Sequence, residues 1–89
     1  MTDIEILKEC RDDLAKAIKT GAKTNKMVIK ATRMALKYIE KYNPQTEEGR
    51  VLMQMNMMIR EAGFVVKYFF NNGSVSFKVD KARGSQLMN

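Results

Sequence analysis

Residues 64–79 read Phe-Val-Val-Lys-Tyr-Phe-Phe-Asn-Asn-Gly-Ser-Val-Ser-Phe-Lys-Val. Two runs rich in β-branched and aromatic residues, Phe64 to Phe70 and Ser74 to Val79, flank Asn72-Gly73. That dipeptide favours a two-residue type I′ turn, in which both central residues need positive φ. With Asn71 set opposite Ser74, Phe70 faces Val75, Tyr68 faces Phe77 and Val66 faces Val79. These residues and Phe64 share one side of the ribbon, while Val65, Lys67, Phe69, Ser76 and Lys78 share the other. Turn chemistry and apolar alternation select the same register. A lone hairpin is marginal in water, so its apolar side is expected to pack on the rest of the chain.

Upstream of the hairpin the apolar period changes from two to about 3.6. Thr46 is placed to cap a helix, with Glu47 and Glu48 favourable against its N-terminal dipole. Val51, Leu52, Met55, Met58, Ile59 and Ala62 form its buried stripe, and Gly63 closes it. A longer helix is expected before it, capped at Thr24 or Asn25 and lasting until Tyr42, where Asn43-Pro44 ends it. Met27, Val28, Ala31, Met34, Ala35, Tyr38, Ile39 and Tyr42 give it a broad apolar face, with Ile29 and Leu36 on the far flank. That breadth makes it the expected central helix.

The first helix opens with Thr2-Asp3-Ile4-Glu5, a capping box, and runs to about Lys19 before Gly21. Ile4, Leu7, Cys10, Leu14, Ala17 and Ile18 share its apolar face, and Arg11 projects at the edge of that face, either snorkelling or pairing across an interface. The predicted fold class is therefore α+β: three amphipathic helices followed by a C-terminal antiparallel β-hairpin. Residues 1–80 are expected to form a single globular domain, and residues 81–89, without periodicity, a flexible tail.

The chain has 89 residues and a net charge of +6, which points to an acidic partner. No apolar run approaches the ~18 residues of a membrane span, so no membrane partner is expected. Asp3 and Glu5 ahead of Ile6 and Leu7 carry the wrong charge for a secretory signal. A single cysteine, Cys10, allows no internal disulfide, and a cytoplasmic location is expected. There is no histidine, which removes the usual general base and the commonest metal ligand. No zinc site of ordinary ligand type can then be assembled, and no Gly-rich phosphate loop is present. Asp12 and Asp13 diverge by ~100° on a helix. The expectation is a protein that is not an enzyme and uses no cofactor and no metal.

Three surfaces stand out as binding candidates. Between Lys16 and Lys41 lie eight Lys or Arg residues and one acid, Glu40. Lys26, Lys30, Arg33, Lys37 and Lys41 step by three or four, so on a helix they project within an arc of about 80°. Like charges at that spacing repel by a few tenths of a kcal/mol per pair, and a helix shaped for solubility alone more often alternates signs; the ridge is read as an anion-binding surface, with a solvated lysine-rich face as the alternative. Lysine supplies point charge and not bidentate base readout, so backbone-dominated, salt-sensitive nucleic-acid binding is expected. The second surface is the side of the hairpin carrying Lys67 and Lys78 beside Val65 and Phe69, suited to stacking plus charge, to strand addition, or to burial against another element. The third is Met53 and Met57, which point away from the core stripe and suit either adaptable contact with a partner or a second copy, or packing under the hairpin. The leading reading is a nucleic-acid-binding regulatory module. The alternative is an interaction adaptor or inhibitor docking on an acidic protein through the ridge or through Met53, Met57, Val65 and Phe69. Self-association as a homodimer is compatible with either.

The run Arg60-Glu61-Ala62-Gly63-Phe64-Val65, a helix passing straight into a hairpin, resembles the end of a winged-helix domain. The likeness covers roughly half the chain and implies a recognition helix followed by a wing. Two features depart from that pattern: the preceding helix is longer than such domains use, and Glu47 and Glu48 stand where DNA phosphates would enter. Size and the use of methionine and asparagine also resemble those of small phage-encoded regulators.

Overall fold

The computed structural model describes residues 1–81, in the order α1 (Asp3–Thr20), α2 (Thr24–Tyr38), α3 (Glu47–Glu61), β1 (Phe64–Asn71) and β2 (Ser74–Lys81). The α+β class and the ααα-ββ order are those expected. Each helix begins and ends for a local reason. At α1 the Thr2 hydroxyl accepts from the Glu5 N–H at 3.3 Å while the Glu5 carboxylate accepts from the Thr2 N–H at 3.1 Å, completing the capping box. Gly21 terminates α1 at φ 74°, a conformation glycine adopts without steric cost. The Thr46 hydroxyl caps α3 by accepting from Gly49 N–H at 3.0 Å.

The second helix departs from expectation at both ends. Neither Thr24 nor Asn25 caps it. Lys23 holds the N-cap position in a left-handed conformation, φ 57°, with no side-chain cap. The Thr24 hydroxyl instead donates to Ala17 O at 2.9 Å, tying the start of α2 to the end of α1. At the other end regular helix stops at Tyr38 and not at Tyr42. The N–H groups of both Lys41 and Tyr42 converge on Tyr38 O, at 3.0 and 3.1 Å. This tightened final turn swings the chain toward Asn43-Pro44 and brings the Tyr42 hydroxyl onto the Asp3 carboxylate. The apolar phase that would have continued the helix thus gives way to a turn that Lys41 and Tyr42 fasten to Asp3.

The core is built around α1, which packs along both α2 and α3, whereas those two meet only briefly. Leu7, Cys10 and Leu14 of α1, Val28 of α2 and Met55 of α3 are fully buried there. The central helix is therefore α1 and not α2, and the reason lies in the second apolar flank of α2. Ile29 and Leu36 face β2 of the hairpin, so the breadth of α2 serves two neighbours, a helix on one side and a ribbon on the other. Arg11 pairs across a helix interface, donating to Gln54 Oε1 of α3 at 3.0 Å.

The hairpin has the expected register throughout, with Asn71 opposite Ser74, Tyr68 opposite Phe77 and Val66 opposite Val79. Asn72 and Gly73 both take positive φ, 49° and 82°, as a type I′ turn requires. Lys81 continues β2 opposite Phe64, so the ribbon is longer than expected and the expected tail would start one residue later. The tail expectation for 82–89 lies outside the described residues. The packing side of the ribbon is covered only near its base. Phe64 is buried, Val66, Phe77 and Val79 are half-buried, and Tyr68, Val75 and Phe70 are exposed, Phe70 by 79%. The ribbon of eight residues per strand reaches ~26 Å, and its tip stands off from α2 and α3 across an open space lined by Tyr68, Phe70 and Val75.

A basic helix edge beside an aromatic hairpin

Four of the five ridge residues lie where the spacing places them. Lys26, Lys30, Arg33 and Lys37 are exposed along one edge of α2, rising ~16 Å from first to last at 1.5 Å per residue. Among the described residues none of the four has a carboxylate within ion-pair distance; the recorded pairs use other groups. The helix ends strengthen this asymmetry. Acidic residues stand in the first turns of α1 (Asp3, Glu5) and α3 (Glu47, Glu48), and none in that of α2. The positive end of the α2 dipole is thus left alongside Lys23 and Lys26.

Lys41 leaves the ridge. Its ammonium lies 2.9 Å from Asp3 Oδ2, because the tightened turn after Tyr38 carries it beyond the helix. Asp3 is the hub of a small cluster in which it also accepts from the Tyr42 hydroxyl and, at 3.5 Å, from Tyr38. The hydrogen bond from Lys41 and then that from Tyr42 hold the Asp3 carboxyl below its ordinary pKa, while bonding to Asp3 raises those of Lys41 and Tyr42. Lys41 therefore belongs to a structural staple between α1 and the end of α2. Lys37, the last ridge residue, lies 5.4 Å from the centroid of the Tyr38 ring.

On the hairpin, Lys67 and Lys78 are directly opposed across the strands and share a single carboxylate, Asp80, at 4.0 and 3.9 Å. Two ammonium groups against one acid leave a net positive charge beside Phe69, which is 51% exposed, and Val65, also exposed. No other described element covers that side. Met53 and Met57 are likewise exposed on α3, at 54% and 56%.

The spacing of the sequence does not disclose how these surfaces join. A cleft of about 680 Å³ runs between α2 and β2, walled by Ile29, Arg33 and Leu36 on one side and by Val75, Phe77 and Lys78 on the other. It brings Arg33 of the helix ridge and Lys78 of the hairpin to a common opening. A larger groove of about 890 Å³ lies under the overhanging tip, bounded by Leu36, Lys37 and Ile39 of α2 and its following turn, Leu52 and Met53 of α3, and Tyr68, Phe70 and Val75 of the hairpin. Leu36 and Val75 border both spaces. The two spaces adjoin as a trough lined by Arg33, Lys37 and Lys78 with the single carboxylate Glu40, and with an apolar, aromatic interior. Tyr68 and Phe70, assigned from alternation to core packing, instead line this trough. Their nearness to the Asn72-Gly73 turn is the only sequence cue to that exposure.

Cys10 is buried and burial pushes its thiol pKa up, the opposite of what an activated nucleophile requires. Among the described residues no group of three or more Cys, Asp or Glu side chains is placed to hold a metal ion, and no helix is long and apolar enough to cross a membrane. The N-terminus of α3, which the winged-helix likeness would send into DNA, carries Glu47 at 2.6 Å from Lys8 of α1. No family model, no curated protein and no solved structure matches this chain.

Proposed function

We propose that this chain is a small, non-enzymatic regulatory module that binds nucleic acid along the exposed edge of α2 and the adjoining basic side of the hairpin. The observation that carries this reading is the run Lys26, Lys30, Arg33 and Lys37, exposed on one helix edge and unmatched by carboxylates among the described residues. Keeping like charges together costs stability, and a linear polyanion offsets that cost by releasing its counterions. The shared opening of the ridge and the Lys78 side of the cleft extends the same positive surface. Because the contacts are mostly lysine to phosphate, binding is weakly sequence-selective.

Four phosphate contacts predict that log K falls with log salt with a slope of about −3 to −4. Anisotropy titrations of labelled oligonucleotides across a salt series measure it. The double variant Lys30→Glu/Lys37→Glu, at two exposed positions, should abolish binding near physiological salt while leaving the helical circular dichroism intact. Unchanged binding in that variant refutes the assignment.

A second reading has its own support. The groove under the hairpin tip leaves Ile39, Met53 and Phe70 exposed, a surface suited to an acidic protein with an apolar anchor. Under that reading the purified chain shows no affinity for nucleic acid and instead forms a stoichiometric protein complex, which Met53→Asp disrupts and the charge reversal on α2 only weakens.

A further inference from the structure

The trough between the helices and the hairpin goes further than charge alone, and we infer that the nucleic acid it takes is single-stranded, with unpaired bases seated against Tyr68 and Phe70. The inference rests on the nucleic-acid reading and specifies its ligand. Three successive aromatic residues, Tyr68, Phe69 and Phe70, stand at the overhanging end of β1 with exposures of 44%, 51% and 79%. Tyr68 and Phe70, on the side that faces the helices, would be packed down if they served the fold alone, because each ring buries a large apolar area when packed. Instead both line an open groove, while Phe69 lies on the lysine-bearing side of the ribbon. Base faces are available to such rings only when they are unpaired and unstacked.

The charge of the lining favours a strand over other apolar occupants, with three cations, Lys37, Arg33 and Lys78, against one carboxylate, Glu40. Lys37 and Glu40 border the same groove as Phe70, and Arg33 and Lys78 border the cleft that adjoins it at Leu36 and Val75. A strand lying along this trough has phosphates on the α2 edge and bases directed under the ribbon. Sequence-tolerant binding follows, since every base offers a π face. A duplex has access only to the outer ridge, where phosphate contacts are available and stacking is not.

The test uses the whole chain with a labelled oligothymidylate and a duplex of equal length. The single strand should bind more tightly than the duplex, with quenching of tyrosine emission; the chain has no tryptophan to obscure it. Phe70→Ala should weaken single-strand binding about 5- to 100-fold, leaving the salt slope and duplex binding unchanged. Phe70 is so exposed that its removal spares the fold, and Tyr68→Leu serves as a second variant that keeps apolar bulk but loses the aromatic face. If Phe70→Ala and Tyr68→Leu bind the strand within twofold of the parent while Lys30→Glu/Lys37→Glu does not bind it, the ridge reading stands and this inference falls. Equal affinity for duplex and strand also overturns it. Absence of binding to either form removes both readings together, and a protein complex lost on Phe70→Ala under those conditions assigns the groove to a polypeptide.

Discussion

Replacing Gly49 by alanine should destabilise the protein, against the intrinsic preference of a helix for alanine. Gly49 sits in the first turn of α3, where the propensity scale awards alanine about 1 kcal/mol over glycine. A Cβ there, however, would lie 2.8 Å from both the Asn43 carbonyl carbon and Pro44 Cα, with Asn43 O closer still. All three are backbone atoms, so no side chain can swing aside. The loop they belong to is tied down: Asn43 O accepts from Thr46 N at 2.9 Å and from the Thr46 hydroxyl at 2.7 Å, and that hydroxyl in turn caps α3 through Gly49 N–H. Moving the loop away loses a cap of about 1 kcal/mol and two hydrogen bonds of about 0.5–1.5 kcal/mol each. Set against the propensity gain, the net loss is about 1–3 kcal/mol, or a fall in Tm of about 5–20 °C for a domain of this size. Thermal unfolding followed by far-UV circular dichroism measures it, with Asn56→Ala on the exposed side of the same helix as the reference for propensity alone. A Gly49→Ala protein that melts at or above the parent temperature would show that α3 and the 43–46 loop do not approach as described.

Three further outcomes follow from other parts of the structure. Leu14→Ala, at a side chain with no exposure, should cost about 2–5 kcal/mol in urea unfolding, and a loss below 1 kcal/mol would place Leu14 outside the core. Asp3 has its native carboxyl held below the ordinary value of 3.8 by Lys41 and Tyr42, so its stabilising contribution is full above that value and is lost as pH falls through the depressed native one. The stability gap between the parent and Asp3→Asn should therefore be widest near neutrality and close well below pH 3.8; a gap independent of pH would dissolve the proposed staple. Cys10, buried and with its thiol pKa raised by desolvation, should react with a disulfide reagent only at the rate of chain opening. Labelling at the speed of a free thiol in native buffer contradicts its placement.

The parts of the fold legible in the sequence are those that short-range chemistry determines. Asn72-Gly73 together with strict alternation sets the hairpin register, and Thr2 with Glu5 sets the start of α1, because each signal is complete within a few residues. What escaped was decided by tertiary contact. Periodicity on Ile39 and Tyr42 continues a helix that in fact ends at Tyr38, with the following turn fastened to Asp3, far away in sequence. The breadth of apolar surface on α2 is real, but whether it faces two helices or a helix and a ribbon depends on where the hairpin folds back. Likewise alternation shows that Tyr68, Phe70 and Val75 share a side with Phe64, yet says nothing about how far the supporting helices extend beneath them. The ridge was readable as a spacing up to Lys37. Its junction with the hairpin at Arg33 and Lys78 was not, since those residues approach only through the α2–β2 contact.

The graded burial of the hairpin also has a kinetic meaning. Phe64 anchors one end of the ribbon in the core while Asn72-Gly73 stands free at the other, so opening begins at the turn and stops at the anchor. Amide protons near Phe70 and Val75 should exchange by local fraying, orders of magnitude faster than those near Phe64 and Val79, which await global unfolding. On that expectation the tip frays and re-forms many times within the life of one native state while the end anchored by Phe64 stays closed.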